Sequence, residues 1–295
     1  MSTAARPTSR RAILVVACTI SVLGLFCALV AARADAATGP YVALGDSYTA
    51  APLVPTATGS PILCGRSTND YPADVARAIA PSSFINASCS GATTVDMTQS
   101  QSLAGGRTAP PQFDALASND SLVTVGIGGN DAGLVSVAEK CAELDVLWPF
   151  GDRCQSSYQS GGVDTVVAAI DATGPKVAQV IAGIHSRAPH ARVLVVGYPD
   201  GLPQNGSSCY PIVPVSRADV SWFNSLEIDL DQVLSQTAWA NGATYVNTFT
   251  SSIGHDACAG ANAWVNGIIP TSAALPLHPN LLGEANMARQ VEGAL

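Results

Sequence analysis

Tyr41-Val42-Ala43-Leu44-Gly45-Asp46-Ser47-Tyr48-Thr49-Ala50 is an apolar run that stops abruptly at Gly-Asp-Ser. Four or five apolar-biased residues closed by a glycine predict a buried strand that delivers its last side chain to the carboxyl edge of a sheet, where open α/β folds hold their ligands. Ser47 then stands at that edge. Gly, Asp and Ser also dominate ordinary turns for reasons unrelated to chemistry. The meaning of the tripeptide therefore depends on what the rest of the chain brings to the same place.

Downstream, short apolar runs alternate with helical patterns, the signature of βαβ units around a parallel sheet. The stretch from Ala51 to Arg66 is rich in Pro, Gly and Ser and reads as an irregular loop. Asn69 or Asp70 can cap a helix running to about Ala80, with Pro72 tolerated in its first turn. Phe84 to Ala87 predicts a second strand leading to Cys89-Ser90-Gly91, and Ser121 to Ile127 a third, ending in Gly128-Gly129-Asn130-Asp131. A helix follows from about Val163 to Arg187, with a break expected at Gly174-Pro175 because proline removes a helix hydrogen bond. Arg192 to Tyr198 and Thr244 to Asn247 supply two more strands, Ala218 to Ala240 a helix whose Glu227, Asp229 and Asp231 read as a solvated face, and Leu281 to Leu295 a closing helix capped by Asn280. Five strands with intervening helices predict a three-layer α/β/α sandwich around a five-stranded parallel sheet.

The ends of the chain differ in character. Residues 1–11 are basic, Ala12 to Ala32 is almost wholly apolar, and Ala32-Arg33-Ala34-Asp35-Ala36 follows. This predicts an export signal over residues 1–34, cleaved after a small-residue site, with Ser9-Arg10-Arg11 compatible with twin-arginine export. The apolar run is longer than a usual signal core, so an uncleaved anchor is the competing reading. The remainder, residues 38–295, is expected to be a single domain. Four of the 14 Lys+Arg (Arg6, Arg10, Arg11, Arg33) lie within residues 1–34, so ten remain against 22 acids, a net charge of −12. Such a surface argues against nucleic acid and anionic membranes as partners.

Beyond Cys18 and Cys27 of the leader, six cysteines remain: Cys64, Cys89, Cys141, Cys154, Cys209 and Cys258. An even number in an exported chain with no Cys-x-x-Cys reads as disulfides rather than a metal site. Of the possible connectivities, the sequential pairing Cys64–Cys89, Cys141–Cys154, Cys209–Cys258 is favoured because each pair brackets a loop-rich stretch.

Serine attacks an acyl carbon only when a base takes its proton and fixed donors stabilise the oxyanion. The chain has four histidines. His185 and His190 fall near a helix end, and His255 lies in a loop beside Asp256. His278, just before the last helix, sits where a loop over the carboxyl edge would meet Ser47. Gly91 and Asn130 follow the second and third strands, so both belong to that edge: one as a backbone donor with room for close approach, the other as an uncharged side-chain donor.

Gly-Asp-Ser-Tyr-Thr, Gly91, Gly-Gly-Asn-Asp and His-Pro, in this order, resemble the four blocks of the SGNH (GDSL) hydrolase superfamily across residues 41 to about 290. The resemblance implies a flavodoxin-like sandwich. It makes Ser47 the nucleophile and His278 the base, with an oxyanion hole of the Ser47 and Gly91 amides and the Asn130 side chain. The six cysteines are similar to those of secreted bacterial lipases and esterases of this superfamily, which carry three disulfides. Two departures stand out. Ala50 replaces a common glycine, and Leu275 occupies the place of the family's carboxylate, three residues before the histidine. A backbone carbonyl can fix the same imidazole tautomer, and some three-disulfide members use one. Leu275 or Pro276 is therefore expected to orient His278.

The resulting expectation is an exported, monomeric serine ester hydrolase of the lipase or carboxylesterase type, acting through an acyl-enzyme on a small-molecule or lipid ester with no metal and no organic cofactor. A carbohydrate acetylesterase is the alternative within enzymes. A non-catalytic secreted binding protein on the same scaffold is the alternative outside them. Trp148, Phe150, Leu53, Val54, Ile212 and Val213 are candidates to line an acyl groove.

Overall fold

The computed structural model describes residues 39–295 together with Met1 and Ser2. The leader read over residues 1–34 lies outside the described residues. Five parallel strands form the central sheet: β1 (Tyr41–Gly45), β2 (Phe84–Asn86), β3 (Leu122–Gly126), β4 (Arg192–Val196) and β5 (Thr244–Val246). Their order is β2-β1-β3-β4-β5. The chain turns one way from β1 to β2 and the other way from β3 onward, so the carboxyl ends of β1 and β3 flank the crevice where such sheets hold ligands. Gly45 pairs with Gly126 in that register.

Alternation along the strands builds the two faces. Val42, Leu44, Val123, Val125, Val193 and Val195 pack against Ile170, Val177 and Ile181 of α5 (Thr165–Arg187) and Leu226, Leu230 and Leu234 of α6 (Arg217–Ala240). Tyr41, Ala43, Leu122, Leu194 and Val246 face the other way, onto Tyr71 and Val75 of α2 (Tyr71–Ile79) and Met287 and Val291 of α7 (Leu281–Gly293). Each such buried aliphatic or aromatic side chain contributes roughly 1.5–3 kcal/mol by leaving water. The result is a three-layer α/β/α sandwich. Asp70 and Asn280 cap α2 and α7 through their side chains.

α5 runs unbroken through Gly174-Pro175, against the expected interruption. Pro175 sits at an exposed position, so the Asp171 carbonyl that it leaves unbonded also faces water. Gly174 is buried against α6, where an added Cβ would stand 3.3 Å from Val233 and 3.4 Å from Thr237. Tertiary packing on the inner face outweighs the cost of the proline, about 3 kcal/mol. Glu227 of α6 is not on a solvated face either: it turns inward, where its Oε2 is buried without a hydrogen-bond partner among the described residues.

Three disulfides join Cys64–Cys89, Cys141–Cys154 and Cys209–Cys258. They close loops of 25, 13 and 49 residues, each worth about 3–4 kcal/mol by loss of unfolded-chain entropy.

Candidate active site

The strand-ending stretch becomes a site through two glycines. Thr49 of the short helix α1 (Ser47–Ala50) nests between Gly45 and Gly126: a Cβ on Gly45 would meet Thr49 Oγ1 at 2.3 Å and the Gly126 carbonyl at 2.5 Å, and φ there is 149°. Only glycine lets the chain turn this sharply at the sheet edge. The open side of Gly45 is closed by Gln112. Its Oε1 accepts from Gly45 N–H at 2.7 Å and its Nε2 donates to the Gly45 carbonyl at 2.8 Å, which also receives Cys89 N–H. A side chain thus replaces a neighbouring strand at the last residue of β1.

Asp46 caps α1, accepting from Tyr48 N–H at 2.9 Å, and its second oxygen accepts from the Tyr198 hydroxyl at 2.5 Å. Tyr198 in turn accepts from Gly129 N–H at 2.9 Å. This chain of bonds ties together the carboxyl ends of β1, β3 and β4. Burial pushes the Asp46 carboxyl up to about 7, against the hydrogen bonds that favour its charge, and the neighbouring Asp131 charge pushes it the same way.

Ser47 Oγ lies 2.7 Å from His278 Nε2, although 231 residues separate them. His278 Nδ1 lies 2.7 Å from the Pro276 carbonyl. That oxygen can only accept, so Nδ1 carries the proton, and the neutral ring presents an Nε2 lone pair to the serine hydroxyl. Of the two carbonyls expected to orient the ring, Pro276 does so, and Leu275 instead accepts from His278 N–H. Asp256 is spent on Cys258 N–H, and the adjacent His255 stacks on Trp264. His278 is buried, and loss of water lowers its pKa below 6.5, while the Pro276 carbonyl pulls it back up.

The turn that carries the histidine is held from the serine side. Leu277 adopts a left-handed φ of 64°, and its carbonyl receives the Tyr48 hydroxyl at 2.5 Å. The Tyr48 ring lies 4.9 Å from the imidazole, centroid to centroid. The strained residue is thus bonded to the one that follows the serine, and this fixes the ring that meets it.

Asn130 lies in α3 (Gly129–Ala132), and one hydrogen of its Nδ2 goes to the Ala92 carbonyl at 2.9 Å, leaving the other free. Gly91 precedes Ala92 with a φ of 79°. Asp131 fastens the same loop, accepting from Thr94 N–H at 2.9 Å and its hydroxyl at 2.7 Å. The amides of Ser47 and Gly91 have no acceptor among the described residues. Gly91 and Asn130 are therefore linked, and Asn130 and Ser47 face the same cavity.

That cavity is apolar, walled by Leu134, Ala138, Val213, Val215, Phe223 and Leu230. Of the residues expected to line a groove, Val213 does so. Val54 instead packs with Ala51 and Ala274, Ile212 borders a separate hollow, and Leu53, Trp148 and Phe150 are exposed. Sequence reasoning passed over Tyr48, Tyr198 and Gln112. Tyr48 adjoins the quoted motif and was open to question there, whereas Tyr198 and Gln112 reach the site from distant segments with no local signature.

A serine and a histidine paired at the switch point of a β2-β1-β3-β4-β5 sheet, above an apolar cavity, form the arrangement that a serine hydrolase needs, on a flavodoxin-like sandwich. Residues 43–285 match the model of the GDSL-like lipase/acylhydrolase family, and the chain belongs to that family. It is 34% identical over 259 residues to lipase 2 of Streptomyces coelicolor, covering 86% of this chain and 85% of that protein. It is 30% identical over 247 residues to a lipase of Streptomyces rimosus, covering 83% and 82%. The crystal structure of a phospholipase A1 from Streptomyces albidoflavus superposes with a TM-score of 0.73 at 28% identity, covering 88% of this chain and 100% of that one. The protein is a carboxylic ester hydrolase.

Proposed function

We propose that the protein is an exported lipase or carboxylesterase in which Ser47 is the nucleophile and His278 the general base. The observation that carries this reading is the 2.7 Å contact of Ser47 Oγ with His278 Nε2, with Nδ1 held by the Pro276 carbonyl. Ser47 Oγ attacks the ester carbonyl carbon as its proton passes to Nε2. The oxyanion is met by the Ser47 and Gly91 amides and by the free Nδ2 hydrogen of Asn130. Collapse of this intermediate expels the alcohol, which takes the proton from Nε2 and leaves an acyl-serine. Water then attacks that acyl group as the same base removes its proton; the acyl C–Oγ bond breaks, Ser47 Oγ takes the proton back from Nε2, and the carboxylic acid leaves. Asp46 takes no part in the proton transfers and positions α1.

The apolar cavity beside Ser47 favours an acyl chain longer than acetyl, and so a lipase or esterase over a carbohydrate acetylesterase. Intact nucleophile, base and oxyanion donors argue against a non-catalytic binding protein. In this reading residues 1–34 direct export, residues 38–295 act as one monomeric catalytic unit, and three disulfides suit the oxidising exterior. A fluorophosphonate probe should label the wild-type protein and not Ser47→Ala, and p-nitrophenyl esters should show a preference for chains longer than acetyl. Absence of labelling in both proteins would overturn the assignment, and a sharp acetate preference would favour the acetylesterase.

A further inference from the structure

The segment after α4 (Leu134–Asp145) reads Val146-Leu147-Trp148-Pro149-Phe150-Gly151 and contains no charge. Leu147 is 89% exposed, Trp148 59% and Phe150 68%. Trp148 and Phe150 meet edge to face at 6.0 Å, so they support each other and leave their outer surfaces to solvent. Large apolar side chains bunched on one exposed turn mark an interaction site rather than a packing accident.

This turn is clamped at its base. Asp145 accepts from Ser216 N–H at 2.8 Å, and the Ser216 hydroxyl donates to the Gly151 carbonyl at 2.6 Å. Asp219 accepts from Cys154 N–H and Gln155 N–H, and the Cys141–Cys154 disulfide closes the loop behind them. Both flanks of the clamp are walls of the cavity beside Ser47: Leu134, Ala138 and Cys141 on one side, Val213 and Val215 on the other. A rigid base beneath an apolar tip, adjoining the apolar cavity beside Ser47, suits adsorption to a lipid surface.

We infer that Leu147, Trp148 and Phe150 dock the enzyme on an electrically neutral lipid surface, such as a zwitterionic bilayer or micelle, and set the cavity beside the lipid from which acyl chains are drawn. The charge of the chain selects the surface. A net of −12 beyond residue 34 repels anionic membranes, and the tip offers no Lys or Arg to anionic headgroups, so attraction rests on apolar burial with tryptophan at the headgroup level. The inference rests on the ester-hydrolase reading only for its purpose, since adsorption itself needs no catalysis.

The test uses the full mature chain carrying Ser47→Ala, so that vesicles survive. Sedimentation with phosphatidylcholine vesicles should capture it, and Leu147→Ser/Trp148→Ser/Phe150→Ser in the same background should bind roughly 10²-fold more weakly. Replacing part of the phosphatidylcholine with phosphatidylglycerol should weaken binding further. With Ser47 restored, the triple variant should hydrolyse a soluble short-chain ester at the wild-type rate and lose activity on phosphatidylcholine micelles. That retained soluble activity also certifies the fold. Failure of the parent protein to bind phosphatidylcholine, unchanged binding by the triple variant, or binding that needs anionic lipid would each overturn the inference. So would a dimer in sedimentation equilibrium that the triple variant abolishes. Vesicle binding without any ester hydrolysis would instead sink the enzymatic reading and leave adsorption standing.

Discussion

At the scale of single residues, the site reduces the requirement for an acid to a requirement for an acceptor. His278 donates from Nδ1 to a backbone oxygen, which fixes the ring but brings no charge to stabilise the imidazolium. Burial already holds the pKa of His278 below 6.5. The base works when neutral, so kcat/KM should rise with pH through a midpoint below 6.5, and its acid limb should lie lower than a solvated histidine would give. A pH–rate profile on a soluble ester checks this, and a midpoint above 7 would contradict it. Leu275→Asp returns a carboxylate to the position where the family pattern has one. Because Nδ1 is already bonded at 2.7 Å, the substitution should not raise kcat/KM beyond about 3-fold, less than the gain of about 10²-fold or more that a missing base partner would allow. A larger gain would mean that the carbonyl orients the ring poorly.

At the scale of elements, the strand that leads to Ser47 depends on a side chain for its last pairing on the β2 side, while β3 pairs it on the other. Gln112→Ala removes both bonds to Gly45 and leaves its buried N–H unpaired. The expected loss is roughly 2–3 kcal/mol of stability, measurable as a lower denaturation midpoint, with slower turnover because α1 starts at the next residue but one. Strand and helix placement was legible where a local signal governed it. The apolar run ending at Gly45, the Asp70 and Asn280 caps, the places of Gly91 and Asn130 after their strands, and that of His278 just before the last helix all carry their reasons in adjacent residues. Gly174-Pro175 misled because a helix that buries Ile170, Val177 and Ile181 on α6 and the sheet is held by contacts that no local window contains. Glu227 misled likewise: acids spaced along a helix look solvated until the pocket beneath them is known. Tyr198 and Gln112 were illegible, since their partners lie 152 and 67 residues away.

At the scale of the whole molecule, buried carboxyls set the response to pH. Asp46, Asp70 and Asp200 are each pushed up to about 7 by loss of water, and Glu227 and Glu284 are pushed well above the carboxylate range by the same cause. A group whose pKa is higher in the folded state binds its proton more tightly there. Its contribution is complete below the unfolded value near 4 and is lost as pH rises toward the folded value. His278, with a lowered pKa, opposes this below 6.5, but one histidine stands against five acids. Stability should therefore decline from about pH 5 to pH 8 by a few kcal/mol, and urea midpoints at those two values measure it. An unchanged or higher midpoint at pH 8 would show that these groups ionise without cost.

The Pro276 carbonyl that holds His278 also changes what heredity can do to the site. Every amino acid brings the same C=O, so no codon at position 276 can delete the orienting atom. Only an insertion, a deletion or a reshaped turn can displace it. On the proposed assignment, the proton-transfer pair exposes two side chains, Ser47 and His278, to point mutation where a triad would expose three. Saturation mutagenesis should accordingly find positions 47 and 278 intolerant of every substitution, while position 276 accepts whatever residues keep the turn.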